Sequence, residues 1–136
     1  MKTHASIKHA TDATERDLHG YTADLIRICG VPGLIAYHVP NEGQRAARTG
    51  AFLKRMLMVP GVADFALVLP GGRAAFLEIK TAKGRQSPEQ RAFEAACREN
   101  GTPYRIARSP EEAMRALHEL GAIRDLARRA QQARAA

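Results

Sequence analysis

Asp64, Glu78 and Lys80 are the residues whose types and spacing can do chemistry together in this sequence. Two carboxylates a few ångströms apart repel unless a cation sits between them. Hard oxygen ligands at that spacing suit Mg²⁺ or Mn²⁺. A lysine two residues beyond the glutamate points the same way on a strand. It can hold a phosphate oxygen or an attacking water, and its charge offsets negative charge that grows during reaction. The set fits metal-assisted cleavage of a phosphodiester. Glu-x-Lys alone would read as a solvated pair on a half-exposed strand, since such tripeptides are common. The upstream Asp64 and the downstream Ser87-Pro88-Glu89-Gln90 shift the balance toward chemistry.

The elements that must position these residues lie between Gly61 and Gln90. The runs Phe65 to Leu69 and Ala74 to Lys80 flank Pro70-Gly71-Gly72-Arg73, which predicts two strands joined by a hairpin turn. Period-2 alternation puts Phe76, Glu78 and Lys80 on one face and Ala75, Leu77 and Ile79 on the other. With the turn centred near Gly71-Gly72, opposed residues carry numbers summing to about 143. Asp64 then faces residues 78 to 80.

This stretch resembles the PD-(D/E)XK nuclease motif, and within it the VRR-NUC family. Asp64 matches the family's aspartate, Glu78 its acidic residue and Lys80 its lysine. Gly84 through Gln90 resembles the loop ending in Ser-Pro-x-Gln, with Gln90 at the family's glutamine, and His38-Val39-Pro40-Asn41-Glu42-Gly43 resembles a segment that precedes the motif in one branch. The likeness runs from about Thr14 to Leu120. The family usually has proline before its aspartate and this chain has Ala63, a change that touches loop rigidity more than chemistry. The resemblance implies a ligand set of Asp64, Glu78 and the backbone carbonyl of Ile79, joined by Glu15 at the start of the first helix, against the alternative that Glu15 is a surface acid complementing the helix dipole. It also implies Lys80 and Gln90 as positioning groups for water or phosphate. The competing role for Gln90 is to complete the helix cap begun by Ser87.

Composition bounds the partners. With 136 residues, the chain has the size of one domain. Its 45% apolar content excludes a disordered tail. Four Phe, three Tyr and no Trp argue against base-stacking platforms for single strands. A formal charge of +7 suits a polyanion, nucleic acid before membrane, because no anchor segment accompanies it. Cys29 and Cys97 make neither zinc spacing nor a disulfide framework and read as buried thiols in a reducing cytoplasm. The start of the chain carries no apolar run of signal-peptide type, and a cytoplasmic setting in a bacterial or phage-infected cell is expected.

In chain order, residues 1–13 read as a flexible lead-in, 14–121 as the nuclease domain and 122–136 as a basic tail. Thr14 caps a helix from Glu15 to about Cys29, with Leu18, Tyr21, Leu25 and Ile28 as its buried stripe and Glu15 one step along the same face. Leu34 to Val39 predicts a strand, with His38 near its end read as a structural or substrate-side residue rather than a metal ligand. Pro40 to Met58 is a polar segment with a short helix. Its Arg45, Arg48, Lys54 and Arg55, with Lys83 and Arg85 beyond the hairpin, are the expected phosphate-contacting residues, against the alternative of a solvated face. Ala51, Phe52, Leu53, Met56, Leu57, Met58 and Val59 exceed the apolar needs of one short helix, and either fill the core or mark a self-association surface. Ser87 and Ser109, each followed by proline, open two more helices, with a strand from Tyr104 to Ala107 between them. Phe93, Ala96 and Cys97 form the buried face of the first of these helices; Ala113, Met114, Leu117 and Leu120 form that of the second.

The expected architecture is an α/β restriction-endonuclease-like core, a four-stranded mixed sheet flanked by helices. The expected function is a divalent-metal-dependent DNA endonuclease. The resemblance extends this to a homodimer acting on branched, four-way junction-like DNA. A non-catalytic basic DNA-binding module and an RNA-processing nuclease of the same fold are the alternatives.

Overall fold

The structure, a computed structural model, describes residues 14–40 and 47–125, with Ala135. Thr14 opens helix α1 (Glu15–Cys29) through a reciprocal capping box with Asp17. Strand β1 (Ile35–His38), helix α2 (Ala47–Arg55), strands β2 (Phe65–Val68) and β3 (Ala74–Ile79), helix α3 (Pro88–Asn100), strand β4 (Tyr104–Ala107) and helix α4 (Pro110–Glu119) follow. The sheet order is β1-β2-β3-β4. The first three strands form an antiparallel meander, and β4 lies parallel to β3. A parallel pair needs a crossover, and α3 supplies it. The mixed α/β architecture is the expected one.

Alternation along β3 divides the core. Ala75, Leu77 and Ile79 point into the main cluster, with Leu18 and Leu25 of α1 and Ala113 and Leu117 of α4. Phe76 points to the opposite face and packs with Phe93, Cys97 and Tyr104 beneath α3. Glu78 shares the parity of Phe76, so its carboxylate belongs to the α3 side of the sheet.

Several details differ from the sequence reading. The hairpin pairs Phe65 with Leu77 and Val68 with Ala74, one residue tighter than expected, because the turn centres on Gly71. Asp64, continuing β2, then falls opposite Glu78. The buried stripe of α1 runs through Leu18, Thr22, Leu25 and Cys29, while Ile28 is 75% exposed. Thr22 is tolerated inside because its hydroxyl donates to the Leu18 carbonyl at 2.7 Å. Ala96 is exposed and Met114 half-buried, so Cys97 and Ala116 take more of the burial on their helices. Ala122 and Ile123, read from sequence as the start of a tail, are core: Val31 donates to the Ala122 carbonyl, and Gly30 bridges Ile123. Among the described residues no helix is long and apolar enough to cross a membrane.

Candidate metal and nucleic-acid site

The site forms where β2 begins and β3 ends. Gly61 adopts φ +79, and a Cβ there would lie 2.3 Å from the carbonyl carbon and oxygen of Glu89. The loop before Asp64 therefore lies directly against the first turn of α3, and only glycine allows that approach. Ala63, fully buried beneath α3, occupies the place where the resemblance expected proline. Asp64 is fixed by its own chain ends. Its Oδ2 accepts the Ile79 amide at 2.7 Å, and its carbonyl accepts the Val39 amide at 2.9 Å.

Glu78 is 1% exposed. Its Oε1 lies 3.5 Å from Lys80 Nζ and accepts Gln90 Nε2 at 3.1 Å. Its Oε2 is buried with no hydrogen-bond partner. An unsatisfied buried carboxylate oxygen is costly. Burial first, and the Asp64 carboxylate second, push the Glu78 carboxyl up to about 8, with Lys80 acting in the opposite direction. A divalent cation beside Oε2 would remove both penalties at once. The donor set of two carboxylates and the Ile79 carbonyl fits such an ion by chemistry.

Lys80 is itself buried, 8% exposed, and its amide continues the ladder by donating to the Ala107 carbonyl. Gln90 completes the helix cap and also reaches the buried carboxylate. Its Oε1 accepts the Ser87 amide at 2.8 Å as the capping-box partner, while its Nε2 reaches Glu78. The cap thus holds the amide in the orientation that serves the carboxylate.

A second cluster lies on the α1 side of Asp64. His19 stacks on Phe65 at 4.4 Å between ring centroids and meets His38 edge-on at 4.5 Å. His38 Nδ1 lies 2.8 Å from the Asp64 carbonyl oxygen. Ligand atoms of His19, His38 and Asp64 all lie within 4.8 Å of one another. These residues line a cavity of about 510 Å³ together with Glu15 and Arg16. Glu15 is exposed at its rim, whereas the sequence reading turned it inward. His19 was missed from the sequence altogether. Its signal was the one-turn spacing from Glu15, which puts both on one helix face.

The expected phosphate-contacting residues divide. Lys54 and Arg55 are exposed in the last turn of α2. Lys83 and Arg85 are exposed on the loop that follows Lys80. Arg45 lies outside the described residues, as does the side chain of Arg48. The Lys83 loop is held by Arg108, whose Nη1 donates to the Thr81 carbonyl at 2.8 Å and also to the Gly84 carbonyl. Nothing in the spacing of Arg108 marked that role.

No family model matches the sequence, and no curated protein matches it. Solved structures match its fold. One described as a VRR_NUC domain superposes with a TM-score of 0.54 at 19% identity, covering 79% of this chain and 97% of its own. Another, described as a VRR_NUC domain protein, gives a TM-score of 0.64 at 16% identity, covering 78% of this chain and 86% of its own. The chain has the fold of those domains.

Proposed function

We propose that this chain is a VRR-NUC-type nuclease that hydrolyses phosphodiester bonds in DNA with a divalent cation, Mg²⁺ or Mn²⁺. One observation carries the reading. Glu78 is buried beside Asp64 with an unpartnered oxygen, an arrangement that plain phosphate binding does not explain and a cation does. Asp64, Glu78 and the Ile79 carbonyl would hold the ion, with Glu15 at the rim as a further carboxylate. When bound, such an ion polarises the scissile phosphate and makes water a better nucleophile at neutral pH.

The protein's own groups do the rest. Lys80 Nζ, close to Glu78 and largely shielded from solvent, holds the attacking water or a phosphate oxygen and offsets charge in the transition state. Gln90 keeps the Glu78 carboxylate in place and presents its amide on the same side. The Ile79 amide does the same for Asp64. Lys54, Arg55, Lys83 and Arg85 contact the DNA backbone, joined by Arg45 and Arg48 from the preceding segment. The buried thiols of Cys29 and Cys97 fit a reducing, cytoplasmic setting.

The substrate is branched duplex and the working form a homodimer. One site nicks one strand, so paired nicks need a second site at fixed distance, and a two-fold dimer is the simplest source. The apolar excess in the second half of α2 and just after it supports this. Phe52 is 61% exposed, Met56 63%, Leu57 87% and Val59 53%, so these residues do not fill the core. Leu57 also sits at φ +63, an uncommon conformation for a branched side chain, at the most exposed point of that patch. Incubating supercoiled plasmid and a four-way junction with Mn²⁺, Mg²⁺ or EDTA tests the proposal. Metal-dependent paired nicks in the junction are expected. Binding without cleavage in either metal would leave a DNA-binding module, and cleavage confined to RNA would replace the substrate.

A further inference from the structure

The all-oxygen set around Glu78 leaves His19 and His38 unused. We propose that His19, His38 and Asp64 form a second metal site that takes a divalent transition-metal ion, such as Mn²⁺, Co²⁺ or Zn²⁺, in preference to Mg²⁺. The binding claim rests on geometry and donor chemistry, not on the nuclease reading, although Asp64 is common to both sites.

The three residues come from separate elements that converge on one point: His19 from α1, His38 from the end of β1, and Asp64 from the loop entering β2. Their ligand atoms lie within 4.8 Å of one another. Bonds of about 2.0–2.2 Å to a tetrahedral ion place ligands roughly 3.3 Å apart, so a small side-chain rotation closes the set. Both rings are already oriented. His38 directs Nδ1 at the Asp64 carbonyl at 2.8 Å. A backbone carbonyl on one ring nitrogen is the usual support for a histidine that ligates through the other. His19 is held flat on Phe65, with the two rings 25° apart.

Two imidazoles and a carboxylate form a donor set typical of Zn²⁺, Fe²⁺ and their neighbours, while Mg²⁺ prefers oxygen throughout. The cavity of about 510 Å³ leaves coordination positions open to water or an anion, and Arg16 on its wall attracts the latter. Asp64 has one oxygen on the Ile79 amide, so the carboxylate is fixed between the histidine side and the Glu78 side.

The test is Co²⁺ titration of the full chain, followed by its visible absorbance, in excess Mg²⁺ and without DNA. One Co²⁺ per chain is expected, displaced by Zn²⁺ and retained in Glu78→Gln. His38→Gln keeps an amide donor toward the Asp64 carbonyl, and His19→Phe keeps a ring on Phe65. Each should weaken Co²⁺ at least tenfold, with unchanged circular dichroism confirming the fold in at least one of them. Co²⁺ affinity indifferent to both histidines, or lost in Glu78→Gln, overturns the site and leaves His19, His38 and Phe65 as a packing cluster. The outcome is separable from the nuclease reading. A protein inert on DNA that binds Co²⁺ through its histidines keeps this site and loses that reading. An active nuclease whose Co²⁺ affinity ignores both histidines does the reverse.

Discussion

Replacing Glu78 with glutamine should stabilise the metal-free protein at high pH and leave it unchanged at low pH. The wild-type carboxyl is lifted from its ordinary 4.5 to about 8, chiefly by burial and then by Asp64. A folded-state pKa above the unfolded value means that the folded protein holds the proton more tightly. That contribution is fully present below about pH 4.5 and is lost as pH rises through about 8. At about 1.4 kcal/mol per unit, the loss across this window is on the order of a few kcal/mol. For a domain of this size that corresponds to roughly 10 °C in melting temperature. Glutamine is nearly isosteric and carries no charge, so it should not follow the wild-type decline. Thermal unfolding in EDTA at pH 5 and pH 9 reads the difference. The two proteins should melt within a few degrees of each other at pH 5, near the start of the decline, with Glu78→Gln well above the wild type at pH 9. Adding Mg²⁺ at pH 9 should raise the wild type and leave the variant nearly unmoved. Parallel curves at both pH values, with no metal response, would refute the claim that an uncompensated buried carboxylate sits in this site.

Neutralising Lys54, Arg55, Lys83 and Arg85 should weaken binding to all DNA sequences about equally, and the slope of log affinity against log salt should fall by roughly one per lost phosphate contact; an unchanged slope would put the DNA face elsewhere. Gly61→Ala should lower stability more than Gly71→Ala. Both have positive φ, but a Cβ at 61 meets backbone at 2.3 Å while one at 71 meets nothing within 4 Å. Equal losses in melting temperature would show that the loop does not press on α3. Sedimentation at micromolar concentration should give a mass near twice 14.8 kDa, falling to the monomer value in Phe52→Ser with Leu57→Ser; an unchanged dimer would move the interface off this patch.

The parts of the fold legible in the sequence were those set by local chemistry. Serine or threonine caps fixed the starts of α1, α3 and α4, and Gly-Pro punctuation isolated the hairpin strands. The triad of Asp64, Glu78 and Lys80 was visible because period-2 alternation and a short turn place residues with little freedom. What was not legible depends on packing between distant segments. Ile28 and Thr22 lie on different parts of one helix surface, and the placement of the sheet and α4 against that helix decides which is buried. His19 gained meaning from Phe65 and His38, residues brought to it by the sheet. Arg108 holds the Thr81–Gly84 loop across the β3–β4 pairing, a contact with no local signature. The dual use of Gln90 was half visible: the cap followed from spacing, while its reach to Glu78 needed the packing of α3 on the sheet.

The most direct test of the central claim is the single-turnover cleavage rate of a four-way junction by wild type, Asp64→Ala, Glu78→Ala and Lys80→Ala, in Mn²⁺ and at saturating protein. Each substitution should slow cleavage on the order of 10²-fold or more, as for the loss of one transition-state contact, while the DNA stays bound. Full cleavage by Glu78→Ala would contradict the assignment of this carboxylate site as the catalytic centre.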